Sequence, residues 1–124
     1  METLKILATK YTPSVELNSD GEMTIRGKSL LEDPLLFYNP IMESIKRCNS
    51  KKFTFTFQLE YMNTSSSKVI LSLLNTIKDF YNRNNVIIKW YYDSDDEDML
   101  DIGKDYESII CMPIDFFELC QEED

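Results

Sequence analysis

The sequence contains no histidine. That removes Ser-His-Asp and Cys-His catalysis, histidine phosphotransfer and most zinc sites. Glycine is almost as scarce, at Gly21, Gly27 and Gly103 only, so no glycine-rich phosphate-cradling loop can be written. The cysteines are three, Cys48, Cys111 and Cys120, an odd number with no pair spaced as a redox or zinc motif. They are expected to be reduced thiols, with Cys111 and Cys120 as small buried residues. Basic residues are in deficit: 13 Lys and Arg against 22 Asp and Glu, a net charge of −9. Nucleic acid and anionic membranes both need a basic footprint and are not expected partners. No apolar run approaches the roughly 18 residues of a membrane span, and no basic-then-apolar leader opens the chain. A cytoplasmic protein without a cofactor is the expectation.

What is present is enough for a core. The 124 residues are 43% hydrophobic and 12% aromatic, and no linker, repeat or low-complexity stretch divides them. One domain over residues 1–124 is expected, with an acidic tail at about 120–124. Its centre is the stretch from Phe53 to Tyr81. Phe53, Phe55, Phe57, Leu59 and Tyr61 alternate with Thr54, Thr56, Gln58, Glu60 and Met62, the period of a strand with one apolar face. From Val69 the period becomes helical, through Ile70, Leu73, Leu74, Ile77, Phe80 and Tyr81. A helix over Ser67–Arg83 is expected.

Upstream, Leu4–Leu7 and Val15–Leu17 are short apolar stretches. Asn18-Ser19-Asp20-Gly21 is a turn signal that predicts a hairpin with arms near 14–17 and 22–26, then a loop at Gly27-Lys28-Ser29. Asp33-Pro34 reads as a cap and first turn, and Pro40 predicts a kink or a restart in the helix beyond it. Downstream, Val86–Tyr92 alternates as a strand. Met99, Ile102 and Tyr106 mark a short helix behind Asp93–Asp98. Ile109–Met112 reads as a last strand, and Phe116, Phe117 and Leu119 as a closing helical turn. The expected class is α/β: a mixed β-sheet with an N-terminal β-hairpin and helices mainly on one face.

Between the central strand and helix lies Asn63-Thr64-Ser65-Ser66-Ser67, then Lys68. Capping accounts for one such residue, because a helix start has unpaired N–H groups that a side-chain oxygen satisfies. Five consecutive cappers exceed that need, and no Glu or Gln completes a reciprocal capping box after Thr64. A phosphoacceptor is the other reading. A phosphate at this junction would meet bare amides and the positive end of the helix dipole, and would add about −1.5 to −2 charge. The carboxylates of Asp93–Asp101 admit a metal reading, but no Gly stands at the sixth position of an EF-hand loop and Lys104 falls where its bidentate Glu belongs. A solvated helix start is the plainer account of them.

Leu59-Glu60-Tyr61-Met62-Asn63-Thr64-Ser65-Ser66-Ser67-Lys68 and Trp90-Tyr91-Tyr92-Asp93 resemble the two marker stretches of the SiaC family of regulatory phosphoproteins. Tyr11-Thr12-Pro13, Gly27-Lys28-Ser29 and Asp95–Leu100 support the resemblance, which runs from about Thr12 to Phe117. It implies a STAS-like domain similar to anti-sigma factor antagonists, non-enzymatic, and reversibly phosphorylated. The acceptor it implies is Thr64, with Ser65 and Ser66 next to it. The implied partners are a serine/threonine kinase, a metal-dependent phosphatase and an effector, a diguanylate cyclase of cyclic di-GMP signalling. Asn63, Ser65, Ser66, Ser67 and Lys68 would shape the helix start and meet the partner. Two other functions fit the residues: an anti-sigma factor antagonist that binds a kinase-like anti-sigma factor, and a small acidic metal-binding protein.

Overall fold

The computed structural model describes residues 3–48 and 50–120, so the end of the acidic tail read at 120–124 and Asn49 of the expected turn lie outside the described residues. Six strands form one sheet in sequential order: β1 (Leu4–Ile6), β2 (Ser14–Leu17), β3 (Glu22–Ser29), β4 (Phe53–Met62), β5 (Val86–Asp93) and β6 (Asp115–Leu119). The first three strands pair antiparallel, and β3 to β6 pair parallel. Each parallel step is bridged by a helix: α1 (Pro34–Arg47), α2 (Thr64–Phe80) and α3 (Glu97–Ile110). Right-handed crossovers that all advance in one direction set their helices on the same face. The burial agrees: Val15, Leu17, Met23, Ile25, Phe53, Phe55, Phe57, Ile88 and Trp90 are enclosed, while Thr54, Thr56, Gln58 and Lys89 on the other face are only partly covered. The expected mixed sheet, N-terminal hairpin and one-sided helix layer are all present.

Several expected boundaries are corrected. Gly27-Lys28-Ser29 is not a loop, because β3 runs on to Ser29 along β4. The register shifts there: Gly27 pairs with Leu59 but Lys28 with Tyr61, which leaves Glu60 as an extra residue in β4. Such a bulge reverses the alternation of the residues beyond it. Tyr61 therefore faces out at 57% exposure and Met62 goes into the core, the opposite of the simple period-two reading. Ile109–Met112 is not a strand. Met99, Gly103, Tyr106 and Ile110 form a buried helical stripe, and α3 ends with Cys111 in the left-handed conformation at φ 57°. The last strand is instead β6, where a closing helical turn was expected; Phe116 packs on the core and Phe117 stacks on Tyr91 across the open face at 4.9 Å.

α1 passes through Pro40 as one continuous helix. α2 starts three residues before the expected Ser67 and stops at Phe80, with Arg83 in a separate 3-10 turn. Cys111 and Cys120 are exposed rather than buried. Gly103 lets α3 lie close on the sheet, since a Cβ there would stand 2.8 Å from both Trp90 and Phe116.

Candidate functional site

β4 ends at Met62 and α2 begins at Thr64, so Asn63 is the hinge of a strand-to-helix corner. Its groups make four hydrogen bonds. The backbone N–H donates to Ser29 O at 3.0 Å, and the backbone carbonyl accepts from the Ser67 amide at 2.9 Å. The side-chain Oδ1 accepts from the Ser66 amide at 2.9 Å, and Nδ2 donates to Leu31 O at 3.0 Å. Asn63 is thus both the N-cap of α2 and the clasp that holds the β3–α1 connection against it.

The hydroxyls after it divide into three roles. Thr64 and Ser65 occupy the first two helical positions and are exposed. The cap satisfies the amides of Ser66 and Ser67 and leaves those of Thr64 and Ser65 at the open mouth of the helix, where no intrahelical acceptor exists. Ser66 is different: it is fully buried, and its Oγ accepts from Ser29 Oγ at 2.8 Å. Ser29 Oγ is also 2.7 Å from the Tyr38 hydroxyl. Ser67 is half-buried; its Oγ donates to Thr64 O at 2.8 Å, and its own carbonyl accepts from the Tyr106 hydroxyl. Lys68 is exposed four residues after Thr64 and so lies on the same side of the helix.

No acidic residue stands in the first turn of α2. The positive end of its dipole therefore faces solvent without a carboxylate of the same turn to offset it. Burial pushes the Tyr38 hydroxyl up to about 12, and burial likewise raises Tyr106 well above the ordinary tyrosine value. Both remain neutral donors at physiological pH. At the neighbouring corner, Asp96 caps α3, and Glu97 and Asp98 fill its first turn. Among the described residues no three His, Cys, Asp or Glu side chains converge as a metal site, the Asp93–Asp101 carboxylates included.

The geometry thus consists of an exposed threonine hydroxyl on a corner clasped by hydrogen bonds, beside bare amides. A family model for SiaC family regulatory phosphoproteins matches residues 6–119. The chain belongs to the SiaC family. Solved structures of that family share its fold: the crystal structure of apo-SiaC from Pseudomonas aeruginosa superposes with a TM-score of 0.82 at 20% identity, over 94% of this chain and 98% of that one. A second structure of SiaC from Pseudomonas aeruginosa gives 0.84 at 19% identity, over 96% and 100%. SiaC in the crystal structure of the diguanylate cyclase SiaD with its activator SiaC, from the same organism, gives 0.83 at 20% identity, over 94% and 99%. No curated protein sequence matches the chain.

Ser29, Tyr38 and Tyr106 were not legible as parts of this SiaC-type corner. Ser29 stood in an expected loop, Tyr106 read as an apolar stripe position, and Tyr38 carried no assignment. Their partners in the corner lie between 9 and 39 residues away along the chain, where no local pattern links them.

Proposed function

We propose that this chain is a non-enzymatic partner-switching protein of the cytoplasm, that Thr64 is its phosphoacceptor, and that its effector is a diguanylate cyclase. The observation that carries the reading is the position of Thr64: exposed, at the first position of a capped helix, with no carboxylate in that turn. A phosphoryl group there would be favoured by the amides and dipole of α2, so the modified protein stays folded. The same group changes the charge of the exposed start of α2 by about −1.5 to −2. A partner seated on that surface would have to desolvate the dianion, which is the physical basis for release. Ser65 is the second accessible hydroxyl. Ser66 is enclosed and bonded, so it serves the corner rather than a kinase. The resemblance to SiaC crystallised with the cyclase SiaD favours a cyclase as effector.

The experiment is purification from the native cell with the wild-type chain, Thr64→Ala and Thr64→Asp as baits. Intact mass reads phosphate uptake and mass spectrometry identifies what is bound. Wild type is expected to gain one phosphate that Thr64→Ala does not. A diguanylate cyclase should co-purify with Thr64→Ala and be depleted at least tenfold on Thr64→Asp. An equal mass gain in Thr64→Ala would remove Thr64 as acceptor, and recovery of an anti-sigma factor in place of a cyclase would reassign the effector.

A further inference from the structure

Ser66 is out of place by pattern. It lies on the buried stripe of α2 with Val69, Ile70, Leu73, Leu74 and Ile77, where an apolar side chain would serve. It is fully enclosed, as are Ser29 and Tyr38. The three hydroxyls form an ordered chain. Ser29 has one hydroxyl hydrogen and donates it to Ser66 at 2.8 Å, so the 2.7 Å bond to Tyr38 must have Tyr38 as donor. The direction is Tyr38 to Ser29 to Ser66, from α1 through β3 to the first turn of α2. Among the described residues no buried side-chain nitrogen or oxygen lacks a partner, so the chain is a satisfied network.

Stability alone does not account for such a network. Replacing both partners of a buried hydrogen bond by apolar groups of the same shape can be nearly neutral. What a satisfied network adds over an apolar contact is a single geometry. Here the geometry concerns rotation of the helix start. Ser66 and Thr64 are two residues apart, about 200° around the helix axis. Holding Ser66 inward turns Thr64 outward. The Asn63 bond to Leu31 O and the Tyr106 bond to Ser67 O hold the same turn from two further sides.

We propose that Tyr38, Ser29 and Ser66 are positioning residues that pin the first turn of α2 so that the Thr64 hydroxyl is presented in one orientation. The functional consequence rests on Thr64 being the acceptor; the pinning itself does not.

The test compares the wild-type chain with Tyr38→Phe and with the triple variant Tyr38→Phe, Ser29→Ala, Ser66→Ala, which removes the whole hydroxyl chain and leaves no widowed donor. Three-bond couplings of the Thr64 side chain, measured by NMR, are expected to report one dominant rotamer in wild type and averaging in both variants. Amide exchange at Ser66 and Ser67 should accelerate at least tenfold in the triple variant, while Leu73 and Ile77 stay within twofold. With native-cell extract and ATP, the maximal rate of phosphate incorporation at residue 64 should fall at least fivefold with half-saturating chain concentration unchanged. Unchanged couplings and unchanged exchange would overturn the proposal. If the triple variant does not fold, Tyr38→Phe alone decides by its couplings. If wild type takes up no phosphate at Thr64, the acceptor assignment falls, and the couplings and exchange still decide the pinning.

Discussion

α2 and α3 start at the same end of adjacent parallel strands, each with a side-chain cap. Asn63 accepts from the Ser66 amide at 2.9 Å, and Asp96 accepts from the Met99 amide at 3.1 Å. The first turns behind those caps differ. α3 continues with Glu97 and Asp98, which offset its own dipole. α2 continues with Thr64 and Ser65, in a chain of net charge −9 that has carboxylates in abundance. The supports differ as well. The start of α3 is tied to the sheet by the Trp90 indole, whose Nε1 donates to Met99 O at 3.0 Å. The start of α2 is tied by two tyrosines, Tyr38 through the serines and Tyr106 directly. One helix start thus has carboxylates set against its dipole, and the other has none in its first turn. Capping explains what the two share. It does not explain what distinguishes them.

The largest effect that separates the two should come from pH. Tyr38 ionises near 10.0 when unfolded and near 12 when folded. Between those values the unfolded chain binds fewer protons than the folded one, so stability falls as pH rises. The loss from Tyr38 is about 2–3 kcal/mol, complete near pH 12, and Tyr106 adds to it in the same direction. Urea melts at pH 8, 10 and 11 should be flat to about 10 and then decline, with a shallower decline in Tyr38→Phe. The Trp90 bond beneath α3 has no such dependence, because indole does not titrate in this range.

Removal of the caps should come next. Asn63→Ala loses the cap and the clasp to Leu31 together and should cost about 2 kcal/mol; Asp96→Ala loses a cap alone and should cost about 1 kcal/mol. Equal midpoints in thermal denaturation would mean that the Leu31 bond adds nothing. The smallest effect is the exchange of first-turn charge. Ser65→Glu should stabilise by about 0.3–1 kcal/mol and Glu97→Gln should destabilise by a similar amount, both shrinking in high salt. Should Ser65→Glu destabilise, the start of α2 would not be an open positive end.

The periodicity of Phe53–Leu59 and of Val69–Ile77 was enough to place the central strand and helix, because burial on one face imposes periods that can be counted along the chain. It failed where the period is broken by pairing. The bulge at Glu60 arises from the register between β3 and β4, and nothing within Leu59–Met62 announces it. It failed again at the end of α3, where Ile109 and Ile110 have strand-like propensity but the packing of the helix on Trp90 prevailed. The hydroxyl run at 63–67 was legible as a helix start. Its division into cap, exposed pair and buried anchor was not.

The class of the fold, the lack of histidine and the hydroxyl-rich corner between strand and helix could all be read along the chain. Each comes from composition or from contacts between near neighbours. Which serine faces inward could not be read that way, because Ser29 and Tyr38 reach Ser66 from other elements. Hydrogen bonds between distant residues leave no period in a chain; they exist once the sheet has put its strands side by side.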